Sequence, residues 1–272
     1  MHRAPRPAPK GRSLTQAQRD AFLATGVTHV PGVLPSASVE AMAGRIWTEL
    51  ERRDGIFRGR PETWTKERPS QFGELRKSGA FAAMTGPELR SLLDDFFQPS
   101  GWREPRHWGQ ALVTFPTGRK DWSVPGAAWH LDILPGQRLE PWPAYVRVFA
   151  ILAPLEPGGG GTLYVAGSYR LTLEARGRMP RGGARSAAVR EALTRESPWL
   201  AELCSAAAAD AERTARLMEV GAELRGAALR VAEMTGEAGD VVLMHPATLH
   251  APSPNCRPSP RLMLAESVYA DR

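Results

Sequence analysis

Apolar positions along this chain switch between helical and strand spacing, and the switch points divide it into a helical front, a β core and a helical interruption. Thr15-Gln-Ala-Gln18 has the form of a capping box, which predicts a helix through about Thr25 that Gly26 stops. Val39, Met42, Ile46 and Leu50 recur at helical spacing and predict a second helix, capped by Ser36 or Ser38 and ending near Arg53. A polar loop with Lys66 and Arg68 follows, then helical segments near 78–84 and 86–97. From there short apolar runs take over: 108–115, ended by Pro116, then 127–133, 144–153 and 161–166, with a Gly/Pro-containing loop at 117–127. Residues 184–230 are Ala- and Arg-rich with few β-branched positions, so helix interrupts the strands before they resume at 228–233, 240–245 and 261–269.

Short strands spread around a helical insertion predict a mainly β fold with helical additions. The expected core is a double-stranded β-helix of the jelly-roll or cupin-like kind, with N-terminal helices. Residues 13–272 are expected to form a single domain, with the insertion at about 171–227. Residues 1–12 are basic and Pro-rich with no apolar stretch behind them, so they read as a disordered tail and not a signal peptide. No run approaches the roughly 18 apolar residues of a membrane helix, so no membrane partner is expected. Cys204 and Cys256 lie in different contexts and suggest free thiols in a reducing cytoplasm. The net charge is +6, but the arginines are scattered without an aromatic platform, which argues against nucleic acid. A monomer or homodimer is expected.

Chemistry concentrates in two distant segments. Trp129-His130-Leu131-Asp132 places a His and an Asp on one strand face, just before the turn Ile-Leu-Pro-Gly. Far downstream, His245-Pro-Ala-Thr-Leu-His250 follows the apolar run Val241-Val-Leu-Met244, and Arg261 opens another at Leu262-Met-Leu264. Two imidazoles and one carboxylate can take one face of an octahedral Fe(II), leaving positions for a co-substrate, O2 or water. An Arg entering the interior requires an anion, which the distal carboxylate of 2-oxoglutarate would provide. Taken singly, each piece has a plainer reading: His130 as a structural histidine, Arg261 as a solvated or surface-paired strand-mouth Arg. Lys66 or Arg147 would be the alternative cation for the acid. Gln110 and Thr114 share a strand face that could point into the barrel.

The segment Gly239-Asp-Val-Val-Leu-Met-His-Pro-Ala-Thr-Leu-His250, with Pro254-Asn255 and Arg261, resembles the C-terminal signature of the phytanoyl-CoA dioxygenase family. Gly161-Thr-Leu-Tyr-Val-Ala-Gly-Ser-Tyr-Arg170 and the stretch from Leu14 to Leu34 resemble earlier family segments. The resemblance implies that His130, Asp132 and His250 hold Fe(2+), with His245 outside the ligand set. It implies that Arg261 binds 2-oxoglutarate, and Gln110, Phe149, Thr162 and Ser253 are the further co-substrate contacts expected. Three positions depart from the pattern. Pro252 stands where the family has a small polar residue, so that hydroxyl is lost or comes from Ser253. Phe149 stands where a Trp is common, and Tyr169 replaces the His of Gly-Ser-His.

The expected activity is therefore that of an Fe(II)- and 2-oxoglutarate-dependent dioxygenase, hydroxylating a small-molecule substrate with release of succinate and CO2. Desaturation or ring formation would use the same ligands. Chlorination is disfavoured because Asp132 occupies the position that family halogenases give to a small residue. The rivals are a cupin-like metal-binding protein, a zinc hydrolase, or a metal-free jelly-roll binding module. The helical insertion reads either as a buttress of the sheet or as a lid, with the iron and co-substrate ligands all outside it. Trp64, Trp122 and Trp142 could line a pocket or serve the core.

Overall fold

The computed structural model describes residues 11–133, 139, 143–180, 185–205 and 210–271, so the expectations for residues 1–10 and for Trp142 fall outside the described residues. The prediction for the first helix holds in detail. In α1 (Gln16–Thr25) Thr15 and Gln18 complete the capping box reciprocally, and Gly26 ends the helix in the left-handed region at φ 81°. A Cβ at Gly26 would come within 2.8 Å of both Thr248 Oγ1 and the Tyr169 ring, so the chain passes here without a side chain. The strand β1 (Val27–Val30) leaves this turn, and α2 (Ser36–Asp54) follows. Its N-cap is Pro35 without a side-chain bond, and neither predicted serine caps it. Its face Val39, Met42, Ala43, Ile46, Trp47 and Leu50 is buried, each large side chain contributing roughly 1.5–3 kcal/mol. The helix expected near 78–84 is instead α3 (Gly73–Lys77) plus a 3-10 turn at Ala82–Thr85, and α4 spans Pro87–Phe96.

The remaining elements form two antiparallel sheets with helices outside them. They are β2 (Trp102–Arg103), β3 (Gln110–Thr114), β4 (Tyr145–Ile151), β5 (Thr162–Ala166), α5 (Ser168–Gly177), α6 (Ser186–Glu196), α7 (Pro198–Leu203), α8 (Ala211–Ala215), β6 (Ala222–Leu224), β7 (Ala227–Glu233), β8 (Val241–Met244), β9 (His250–Pro252) and β10 (Arg261–Ala270). The larger sheet runs β1-β8-β4-β10-β2, with β3 also paired to β10; the smaller runs β6-β7-β5-β9. Alternation sorts each sheet into two faces. On the larger sheet Val146, Val148, Ala150, Leu243, Leu262 and Leu264 pack against α2 and α4. The opposite positions Phe149, Ile151, Val242, Met244, Met263 and Ala265 make an apolar floor inside the barrel. On the smaller sheet Leu163, Val165, Leu229 and Val231 face the insertion, packing with Leu171, Val189, Leu193, Leu200 and Leu217. This is the mainly β jelly roll with helical additions that the strand pattern predicts.

Three local expectations are corrected. No strand forms at 127–133: His130 makes a single bridge to His250. Ala128 sits at φ 67°, a conformation that interrupts an extended run, and Leu131 N–H is taken by the Ser186 hydroxyl. The Pro-rich segment from His250, whose prolines predict a loop, opens as a short strand, β9. The last part of the insertion is strand β6, joined to β7 through Arg225 and Gly226, both with positive φ. Among the described residues no helix is long and apolar enough to cross a membrane.

Candidate metal centre

The two ligand segments meet across the barrel mouth. His130 N–H donates to the His250 carbonyl at 2.8 Å and His250 N–H returns the bond at 3.0 Å. Each imidazole is oriented by the same device, with Nδ1 against the carbonyl two residues earlier: Ala128 O at 2.8 Å for His130, Thr248 O at 2.9 Å for His250. An Nδ1–H donated to a carbonyl leaves the Nε2 lone pair as the ligand atom. The positive φ of Ala128 is what turns its carbonyl to this task, a strained backbone position beside the site.

Those two Nε2 atoms converge on Asp132, at 3.8 Å from His130 and 3.5 Å from His250. One nitrogen from each His and one carboxylate oxygen lie within 4.8 Å of one another, a set that could hold a metal ion. Desolvation, followed by the neighbouring His250, lowers the His130 pKa and favours the neutral ring a metal requires. Burial alone would raise the Asp132 pKa. The hydrogen bond and charge of His250, with the charges of Arg147 and His130, outweigh it and hold the group well below the carboxylate range. Tyr145 OH donates to the Asp132 carbonyl at 2.7 Å. Arg147 Nε lies 2.9 Å from Asp132 Oδ2, an ion pair the sequence did not reveal.

His245 has no place in this set. Its ring packs 4.7 Å from Tyr169 and 6.4 Å from Phe22, and its Nδ1 accepts from Ala247 N–H at 3.0 Å. Burial lowers its pKa to about 3, so it stays neutral.

Arg261 is buried directly opposite Thr114 on β3, in the β3–β10 register. Among the described residues no carboxylate pairs with it, and Arg261 Nε and Thr114 Oγ1 are buried without hydrogen-bond partners. Desolvation, then the charge of Arg68, lowers its pKa to about 10, so it remains a cation. It lines a cavity of about 460 Å³ with Arg68, Gln110, Leu112 and Pro252.

The family model for phytanoyl-CoA dioxygenase (PhyH) matches residues 22–263. The chain belongs to the phytanoyl-CoA dioxygenase family. No curated protein matches it in sequence. Among solved structures, it is similar to the non-heme alpha-ketoglutarate-dependent carbocyclase SnoK from nogalamycin biosynthesis, at 18% identity and TM-score 0.56 over 95% of this chain and 84% of that one. It is similar to HygX from Streptomyces hygroscopicus, solved with nickel and 2-oxoglutarate, at 20% identity and TM-score 0.53 over 95% and 88%. The epimerase SnoN from nogalamycin biosynthesis matches at 18% identity and TM-score 0.51 over 94% and 82%. At such identities the likeness establishes the fold.

Within this member of the family, the structure brings together His130, Asp132 and His250, and places Arg261 and Gln110 on one cavity. Phe149 forms part of the floor under the Arg147 guanidinium, 5.6 Å from its ring. Thr162 is buried opposite Pro252. Ser253 turns its hydroxyl to Glu233 at 3.2 Å, and Pro252 lines the Arg261 cavity. Lys66 is paired with Asp54 at 2.5 Å. Trp64 packs with Trp47 and Phe115 in the outer core, and Trp122 packs beside the insertion cluster. Sequence reasoning missed the Arg147–Asp132 pair. Its signal was an Arg two residues before Phe149, and hence on the same strand face.

Proposed function

We propose that the protein is an iron(II)- and 2-oxoglutarate-dependent dioxygenase that hydroxylates an unactivated C–H bond of a small-molecule substrate. The observation that carries this reading is a three-donor His/Asp/His set together with a buried Arg that, among the described residues, makes no hydrogen bond or ion pair and lines a cavity with Gln110 and Pro252. A zinc hydrolase would use the donors but has no need of the Arg. Family membership supports the reading, and so does HygX, solved with 2-oxoglutarate bound.

The donor set fits ferrous iron: two imidazole nitrogens and one carboxylate can take one face and leave the other open. The orphaned Arg261 Nε and Thr114 hydroxyl fit the distal carboxylate of 2-oxoglutarate, which would satisfy both groups that burial strands. Iron, 2-oxoglutarate and O2 supply, when bound, the oxidation of the substrate C–H bond, with succinate and CO2 released. The chain's part is to bind and orient. Ala128 and Thr248 hold the two rings, Tyr145 holds the Asp132 backbone, and Gln110 lies beside the co-substrate cavity. The floor of Phe149, Ile151, Met244 and Met263 keeps water from the barrel side. We place the enzyme in the cytoplasm, where two free cysteines would stay reduced.

Candidate small molecules tested with iron, 2-oxoglutarate and air should include one that accelerates succinate release and gains one oxygen atom. Asp132→Gly should abolish that product. A chlorinated product from the unaltered enzyme, or turnover of a substrate without succinate, would contradict the hydroxylase reading.

A further inference from the structure

We propose that the substrate carries an oxyanion group, carboxylate or phosphate, and that Arg147 and Arg103 bind it beside the metal centre. This rests on reading the triad as an iron(II)–2-oxoglutarate centre. Arg147 points into the barrel from a strand whose other members are apolar or aromatic. Its Nη1 donates to Ser267 Oγ at 2.9 Å. Its Nε, 2.9 Å from Asp132 Oδ2, lies off the N–H axis, so that contact is one of charge and not a directed hydrogen bond.

A guanidinium in this place acts against the metal. It repels a dication at the triad and competes with it for the Asp132 carboxylate. Once Asp132 gives its charge to a metal, Arg147 is left mostly buried with its counter-charge weakened. An anion arriving from the cavity restores the balance.

That cavity, of about 530 Å³, is lined by Arg147, Arg103, Arg76, Gln110 and Tyr269, with the carboxylates Glu266 and Glu104. Both carboxylates are committed elsewhere. Glu266 accepts from Arg76 at 2.8 Å and from Gly109 N–H at 3.0 Å, and Glu104 from Arg90 and Trp108. Arg76 is neutralised by the same pairing. Arg103, exposed on β2 opposite Tyr269, makes no ion pair among the described residues, so it and Arg147 are the cations left facing the space. This cavity shares Arg76 and Gln110 with the one that holds Arg261. The co-substrate's distal carboxylate belongs to Arg261, and an anion at Arg147 therefore belongs to a second molecule.

The test uses the full chain as its anaerobic Fe(II)–2-oxoglutarate complex, whose visible charge-transfer band responds to a substrate entering beside the metal. The probes are aliphatic and aromatic carboxylic acids, the primary amide of each acid, and phosphate monoesters. At least one acid or phosphate should shift the band while its neutral counterpart does not, and the responding series identifies the oxyanion. Arg147→Gln should weaken that response about tenfold or more and Arg147→Lys should recover part of it. Iron affinity should hold or rise, since a competitor for Asp132 is gone. Arg103→Gln, on an exposed edge, should also weaken the response without disturbing the interior. If the band never forms, the iron reading falls and this inference with it. If the band forms but amides act as well as acids, or no anion acts, the inference alone is wrong. Loss of iron in Arg147→Gln would assign Arg147 to holding Asp132 and overturn the substrate role.

Discussion

Arg261 is a buried cation that makes no hydrogen bond or ion pair among the described residues, and its cost to the fold makes its function measurable. Removing one partner of a desolvated ion pair costs roughly 3–5 kcal/mol, or about 10²–10³-fold or more in affinity. Arg261→Ala should therefore raise the apparent 2-oxoglutarate constant by that order in an anaerobic titration, with iron affinity little changed. An unchanged constant would give the anchoring role to Arg68 or Arg147. His245 makes the complementary case, a histidine kept neutral by burial near pKa 3 against about 6.5 in the unfolded chain. Between those values the unfolded state binds the extra proton, so stability is complete above about pH 6.5 and falls as the pH drops toward 3. His245→Asn keeps an acceptor for Ala247 N–H but removes the titration. Denaturant melts of this variant should lose stability less steeply between pH 6.5 and 4, by up to about 1.4 kcal/mol per pH unit. Equal slopes for the two proteins would show that His245 does not govern the acid limb.

The insertion supports the metal loop as well as the sheet. The Ser186 hydroxyl accepts from Leu131 N–H at 3.0 Å and Arg190 donates to the Trp129 carbonyl at 2.6 Å, so α6 grips the backbone on both sides of His130. Behind it, the Thr214 hydroxyl accepts from Val124 N–H at 3.1 Å, and buried Arg213 donates to the carbonyls of Val124, Glu202 and Leu203. Ligand residues that all lie outside the insertion are thus held in place by it. The double variant Ser186→Ala/Arg190→Ala should weaken iron binding about 10-fold, as loss of groups that orient metal ligands does. Undiminished affinity would leave the insertion a buttress of the sheet alone. The bonds to Val124, Trp129 and Leu131 join residues more than fifty positions apart, and no sequence spacing encodes them. The α1 box, the Gly26 stop and most strands were readable because their signals are local. β6 was not, since its hairpin turns on Arg225-Gly226 in place of the Asn-Gly or Asp-Gly pair that advertises a tight turn.

At the scale of the whole molecule, the fold brings residues 130, 132 and 250 together and sets Arg261 on a cavity with Gln110 and Pro252, and the spacing of His-x-Asp, His and Arg was enough to nominate all four as candidates. The same spacing named Arg147 only as an alternative cation for the acid, and its place beside Asp132 shows only in the fold. The central claim is that one ferrous ion binds at His130, Asp132 and His250. The most direct test is anaerobic iron titration of the full chain beside His250→Ala and His245→Ala. One iron per chain, lost in His250→Ala and kept in His245→Ala, is the expected result. Iron kept without His250 and lost without His245 would contradict it.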